Sequence, residues 1–511
     1  MQQIPHYING TRVADAERFG PVFDPATGEQ EKEVALASPS RVDEAVRAAE
    51  AALPGWRSAS LAKRAAVFYR VRHLLTERKS ELAAILTSEH GKVLSDAEGE
   101  ISRGLENIEF ATGLGHMLKG ERSEQVSTGV DVHSIRQPVG VVACITPFNF
   151  PAMVPLWMIG SAIACGNTVL LKPSEKDPSS SVFIAELFTE AGLPDGVLNV
   201  VHGDREAVET ILDHPGVKAV SFVGSTPIAK TIYTRAAANG KRVQALGGAK
   251  NHMVVLPDAD LDMAADAAIS AAYGSAGERC MAISVVVAVG DIADGLVEAI
   301  RSRMTSLRIG PGTDPASEMG PLITAEHRER VASYVTGAEA EGATVVVDGT
   351  RQHFDSNGFF IGVSLVDHVK PGMKVYDDEI FGTGALRRPG GDVRRRRPPR
   401  QREPVRQRRR HLHARRRRRA AVRGGGRGRD GGRERPHPGA GGYLLLRRLE
   451  GLAVRRHAHV RSRQHPLLHA WQGGHHALAG PVDVGDRPRV PAGRLSAAGA
   501  RGAAPGLRAR T

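Results

Sequence analysis

A chain of 511 residues has room for two or three domains and ample surface to bury. Its formal net charge of +13 is segregated: residues 383–511 hold 34 Arg, no Lys and 7 acidic side chains, a balance of +27, and the preceding residues carry −14. The first three quarters is therefore an acidic globular protein, which excludes a nucleic-acid or membrane role spread over the whole chain.

The N-terminal segment MQQIPHYINGTRV shows no charged leader followed by an apolar run, so a cytoplasmic setting is expected. SRVDEAVRAAEAALPGW predicts the first clear helix. Ser40 caps it, Val42, Val46, Ala49 and Leu53 share a face, and Pro54-Gly55 ends it. Sequence rich in Ala, Glu, Lys and Leu continues the helical pattern through about Gly113.

From Pro138 strands and helices alternate. VGVVACI, NTVLLKP, GVLNVV and KAVSFVG are unbroken apolar runs of the kind found in buried parallel strands, and segments such as SSSVFIAELFTEAGLP and TPIAKTIYTRAAANG separate them. The alternation predicts a doubly wound α/β domain within residues 1–245. HMVVLPDADL, SVVVAVG and ATVVVDG as strands, with DGLVEAIRSRMTSL as helix, predict a second α/β domain over 246–382. Periodicity ends after Gly382. Residues 383–511 contain no Ile, Phe, Asn, Met, Cys or Lys and are expected to be disordered.

Three cysteines, Cys144, Cys165 and Cys280, cannot form a fully paired disulfide framework and show no metal-ligand spacing; no apolar stretch is long enough to span a bilayer. Cys280 lies in GSAGERCMAIS, where Gly274, Ser275, Ala276 and Gly277 allow close approach and Arg279 offers positive charge to a thiolate. Taken alone, such a cysteine reads better as an ordinary buried thiol. Asn149 in TPFNFP follows a strand, where its amide can donate to a developing oxyanion or simply shape a turn. Lys172 and Glu175 of KPSE end another strand, the place where an acidic residue accepts from a dinucleotide ribose. Gly224 and Ser225 of FVGST stand at a strand-to-helix turn that can face a pyrophosphate, although no GxGxxG run is present.

In that order, TPFNFP, LLKPSE, FVGST, LGG, the GERC loop and DDEIFG resemble the aldehyde dehydrogenase superfamily over residues 1–382. RGLENIEFA, PFNFPAMVPLWM, VQALGGAKNH and AGERCMA are most similar to its CoA-acylating methylmalonate-semialdehyde dehydrogenase branch. The resemblance implies an NAD-binding domain over 1–245, with part of an oligomerisation element near 121–138, and a catalytic domain over 246–382. It also implies a homotetramer or dimer.

By the same resemblance Cys280 is the nucleophile, and Asn149 with the Cys280 N–H holds the oxyanion. Lys172 and Glu175 take the adenosine ribose, Gly224 and Ser225 the pyrophosphate, and Glu379 of EIFG the nicotinamide ribose, with Phe148 also at the cofactor site. Arg103 and Arg279 take the substrate carboxylate. The cofactor is NAD and coenzyme A the co-substrate. Hydrolytic members carry Glu-Leu-Gly-Gly; here Ala245-Leu246-Gly247-Gly248 stands instead. Loss of that general base slows hydrolysis by roughly two to four orders of magnitude and leaves the acyl group to a thiol. A hydrolytic NAD-dependent enzyme with a different base is the competing expectation.

The tail has its own reading. Back-translated with suitable synonymous codons and read one base later, GTGALRRPG gives PVLSVVR, RQREPVRQRRRHLH gives VNANPYGNGGAIF, LRRLEGL gives FGGWKAS and PLLHAWQGGHHAL gives HFYTRGKVVTTRW. These collinear strings resemble the family's C-terminus. They point to a single-base frameshift near codons 382–383, and to a chain whose catalytic domain and subunit-bridging strand are incomplete. A fusion with a nucleic-acid-binding arm is the competing reading of the arginines.

Overall fold

The computed structural model describes residues 1–390, 454–462 and 469–471. A seven-stranded sheet runs in the order Arg242–Leu246, Val217–Val223, Val141–Ile145, Thr168–Lys172, Leu198–Val200, His6–Ile8, Thr11–Val13. Its first five strands are parallel, and the N-terminal pair closes one edge antiparallel. Val141–Ile145 and Thr168–Lys172 are buried at every position, which is why both read as continuous apolar runs rather than alternating ones.

Strand order reverses around Val141–Ile145. Successive connections go one way through Thr168–Lys172 and the other through Val217–Val223. Crevices open at the carboxyl ends of strands flanking such a switch point. Asn149, Lys172, Glu175, Gly224 and Ser225 all follow those ends.

The second sheet has the order Asn251–Val255, Ile283–Val289, Gly384–Gly390, Ser364–Asp367, Thr344–Val347, with only the last pair antiparallel. It packs its own apolar cluster, including Val285, Val286, Leu296, Leu365 and Ile380. A hairpin of Arg122–Ser127 and Val130–Pro138 carries Val454–Ser462 along its second strand, followed by His469–Trp471.

One expectation is corrected. The first helix spans Pro39–Ser58 and is capped by Ser38, whose side chain accepts from the Arg41 N–H; Pro54 lies inside it. Proline removes one helical hydrogen bond. The helix continues because Trp56 is buried and donates through Nε1 to the Ile163 carbonyl at 2.9 Å. Strands are also described beyond Gly382. Gly384–Gly390 sits between Ile283–Val289 and Ser364–Asp367, and Val454–Ser462 pairs over nine residues with Val130–Pro138. Main-chain ladders are blind to side-chain identity, so composition is a poor guide to which segment fills an open edge. The remainder of the expected disordered tail lies outside the described residues.

Candidate active site

The helix Leu261–Tyr273 ends in a tight turn over Gly274–Gly277 that leads through Glu278 and Arg279 to Cys280, just before the strand Ile283–Val289. Ser275 and Ala276 both adopt positive φ (51° and 52°), a conformation that stores strain in non-glycine residues. Gly277 follows at +78°, and a Cβ there would stand 2.2 Å from the Gly382 carbonyl oxygen. The nucleophile loop and the 379–382 segment are thus in backbone contact, and Phe381 in that segment also has positive φ, 61°.

Cys280 is partly exposed, whereas Cys144 and Cys165 are buried. Asn149 is fully buried; its Nδ2 donates to the Glu278 carbonyl at 3.0 Å and reaches the Cys280 Sγ at 3.5 Å. Burial pushes the Cys280 thiol up, and the Asn149 hydrogen bond opposes this. Burial alone pushes Cys144 to about 12, which leaves it an inert core thiol.

A buried ion pair supports Asn149. Lys92 Nζ donates to Glu100 Oε2 at 2.6 Å and to the Asn149 carbonyl at 2.8 Å. Glu100 Oε1 accepts from the N–H groups of Ala152 and Met153 at 2.8 and 3.0 Å. These close the start of the helix Met153–Ala164, where backbone donors are otherwise unpaired. Sequence reasoning missed both residues, because nothing local in GKVLSDAEGE marks a pair eight residues apart as internal.

Arg279 does not serve the thiolate as expected. Its guanidinium donates to Asp96 Oδ1 at 2.7 Å, and the other Asp96 oxygen accepts the Ser275 N–H at 3.0 Å. Arg103 lies with its guanidinium 5.7 Å from the Phe150 ring centre, and burial first, then the Arg279 charge, pulls its pKa down. The Arg279 charge is thus close enough to be felt at Arg103, although Asp96 already pairs with Arg279.

Around the first sheet's carboxyl edge, Lys172 Nζ meets Glu175 Oε2 at 3.3 Å, and the Glu175 side chain stays 41% exposed. Ser225 starts the helix Thr226–Ala238 without spending its hydroxyl on a cap, so that hydroxyl and the first N–H groups remain available to an anion. A Cβ on Gly224 would strike the Phe222 ring at 2.5 Å. Across the cleft, Glu379 Oε1 accepts the Ala249 N–H at 3.2 Å, and the same carboxylate's charge raises the Cys280 pKa. These groups fit a dinucleotide: an open carboxylate for a ribose, a free helix start for a pyrophosphate, and a second carboxylate beside the thiol. Phe148 packs edge-on to Phe381 and His327, with Lys176 5.1 Å from its ring centre. Among the described residues no cluster of metal-binding side chains occurs, and no helix is long and apolar enough to cross a membrane.

A strained cysteine loop facing a strand-end asparagine, over a switch-point crevice, is consistent with an aldehyde dehydrogenase, and the chain belongs to that family: the model of the aldehyde dehydrogenase family matches residues 12–383. More particularly, it is 55% identical over 385 residues to a malonate-semialdehyde dehydrogenase of Pseudomonas aeruginosa, covering 75% of this chain and 78% of that one. The solved methylmalonate-semialdehyde dehydrogenase DddC of Oceanimonas doudoroffii matches with a TM-score of 0.76 at 52% identity, over 77% of this chain and 81% of that one. A Sinorhizobium meliloti 1021 structure assigned to the same activity and complexed with NAD matches equally well, with a TM-score of 0.76 at 51% identity over the same shares.

Proposed function

We propose that the protein oxidises malonate semialdehyde or methylmalonate semialdehyde with NAD⁺ and passes the acyl group to coenzyme A. Cys280, as thiolate, adds to the aldehyde carbon, and the Asn149 amide and the Cys280 N–H receive the oxyanion of the thiohemiacetal. NAD⁺, when bound, accepts the hydride; Lys172, Glu175, Gly224, Ser225 and Glu379 would hold it. The product on the protein is a Cys280 thioester. Arg103 and Arg279 orient the substrate's own carboxylate, which stands β to the thioester carbonyl and can leave as CO₂, the enolate left behind taking a proton from water at its α carbon. The CoA thiol then displaces Cys280 and yields acetyl-CoA or propionyl-CoA.

The observation that carries the acylating reading is Ala245. It lies in the strand Arg242–Leu246 at the place where a hydrolytic relative carries its base, and a methyl group cannot activate water. The remaining nearby carboxyls are committed: Glu379 to the Ala249 N–H, and Glu278 to an interior with no exposed surface. Product analysis with and without CoA tests it. Acyl-CoA formed only with CoA, and little free acid without it, supports the reading; rapid CoA-independent acid release overturns it.

A frameshift near codons 382–383 is part of the same reading. The family match ends at residue 383, where the composition changes. Gly384–Gly390 is an interior strand of the second sheet, yet its sequence GALRRPG holds two arginines and a proline. Interior parallel strands call for Val, Ile and Leu, and proline removes a ladder donor. Back-translated with suitable synonymous codons and read one base later, the same place gives PVLSVVR. Resequencing the locus decides it: an unshifted frame through codon 383 ends the proposal. The homo-oligomer and the cytoplasmic setting belong to this reading also, with sedimentation of the restored-frame protein as the test of assembly.

A further inference from the structure

Glu278, two residues before Cys280, is the least explained group near the thiol. Its side chain has no exposed surface, and among the described residues one hydrogen bond reaches it, from the Ile323 N–H to Oε1 at 3.3 Å. Oε2 has no hydrogen-bond partner and lies 3.7 Å from His90 Nε2, too long for a bond. Oε1 lies 3.5 Å from His327 Nε2, and that nitrogen's closest partner is the Phe381 carbonyl at 2.7 Å. Meanwhile the Glu278 backbone carbonyl accepts from Asn149 Nδ2, the same nitrogen that reaches Cys280 Sγ. One residue therefore touches the oxyanion donor through its main chain and the 379–382 segment, by way of His327, through its side chain.

We propose that Glu278 is a positioning residue for Cys280: its carboxyl, sealed between His90 and His327, fixes the turn that presents the thiol to Asn149. The inference rests on the assignment of Cys280 as nucleophile. Every element packed on the carboxyl bears on its charge. His90 ends the helix Lys79–His90, Lys92 follows it, His327 starts the helix Ala325–Gly337, Lys176 lies beyond the strand Thr168–Lys172, and Arg279 adjoins in the loop itself. Both imidazoles are held neutral by burial, so neither offers a counter-charge.

Burial pushes the carboxyl up to about 8, with the Ile323 N–H and then the Lys92 and Lys176 charges opposing it. At neutral pH it is uncharged and sits in its site without a counter-ion. Once ionised it puts an unmatched negative charge into the turn that carries the thiol. That charge disfavours a second anion at Cys280, and it competes with the Phe381 carbonyl for the His327 N–H. The amide of glutamine has the same shape and never ionises, so Glu278→Gln reproduces the neutral form at every pH.

The test needs neither turnover nor cofactor. The full chain is alkylated with iodoacetamide between pH 6 and 9.5, and the Cys280 peptide is followed by mass spectrometry. At pH 6.5 Glu278→Gln and the parent react within about twofold of each other. By pH 9 the parent is slower by about tenfold, the effect of one pKa unit at the thiol. Its log-rate profile also bends near pH 8, below the thiol's own titration, and Glu278→Gln shows no bend. Superimposed profiles across the whole range overturn the proposal, as does an unbent parent profile if the variant fails to fold. Absence of any Cys280 alkylation, with Cys144 and Cys165 equally silent, instead overturns the assignment of Cys280 as the reactive thiol.

Discussion

Asp96 and Arg279 form a 2.7 Å ion pair beside the nucleophile loop, and Asp96 uses its second oxygen to hold the Ser275 N–H at 3.0 Å. A substrate carboxylate reaching Arg279 must therefore compete with Asp96 for the guanidinium. Asp96→Asn keeps an acceptor for Ser275 and removes the competing charge. KM for malonate semialdehyde is expected to fall about three- to tenfold, and KM for an uncharged aldehyde such as propanal to stay unchanged. Steady-state kinetics on both substrates check this. An equal change in both KM values would show that Asp96 acts on the loop and not on the carboxylate site.

The Lys92–Glu100 pair makes a prediction about stability. Both side chains are buried, at 1% and 0% exposure, and together they hold one carbonyl and two N–H groups around Asn149. Lys92→Met leaves the Glu100 charge unpaired in the interior, and urea unfolding is expected to show a loss of about 3–5 kcal/mol. Adding Glu100→Gln removes the orphaned charge, so the double variant recovers part of that loss. A double variant as unstable as the single one would place the damage in lost packing instead.

Buried imidazoles set the acid limit. Burial lowers His6 and His327 to about 4, and His90 and His202 well below their usual value. A base with a depressed folded-state pKa adds stability that is present above the unfolded value, near 6.5, and is lost as pH falls towards 4. Each of His6 and His327 contributes at most about 3 kcal/mol by this route. Glu278 and Asp177 act with the opposite sign, since burial raises both above their unfolded values. Their contribution is full below about pH 4 and drains away as pH rises, to about 8 for Glu278. Thermal melts across pH 4–9 are therefore expected to peak between the two limits. His327→Gln should flatten the acid side, and a melt that keeps rising down to pH 4 would contradict the histidine account.

Gly277→Ala tests the contact between the two loops. The position has φ of +78°, and the added methyl would meet the Gly382 carbonyl at 2.2 Å. A cost of about 1–3 kcal/mol follows from backbone strain alone. Displacement of the 379–382 segment should also change the access of iodoacetamide to Cys280. Unchanged stability and alkylation would mean that the two loops are not in contact in solution.

Much of this was legible from the residues. The runs VGVVACI, NTVLLKP and KAVSFVG announce parallel strands because both faces of that sheet are covered, and Asn149, Lys172 and Ser225 could be placed at strand ends from order alone. What escaped reading depends on distance through space. Lys92 and Glu100 look like surface charges on helical sequence, and Glu278 looks like one more acid in a polar loop, until the fold buries all three. Pro54 misled because local propensity yields to the burial of Trp56 two residues later. The arginine-rich strand at Gly384–Gly390 escaped for another reason: its place is dictated by the vacancy between two neighbours and by nothing in its own composition.

That vacancy has a bearing on how the chain is made. Ile283–Val289 and Ser364–Asp367 cannot be joined until residues 384–390 have left the ribosome and slid between them, with about three quarters of the message already translated. Until then the second sheet is two separate pieces whose inner edges stand open, while the dinucleotide half is already complete. At roughly 5–20 residues per second, synthesis from Asp367 to Gly390 takes about 1–5 s. A nascent chain halted in this interval would present a finished first sheet tethered to an unclosed second one.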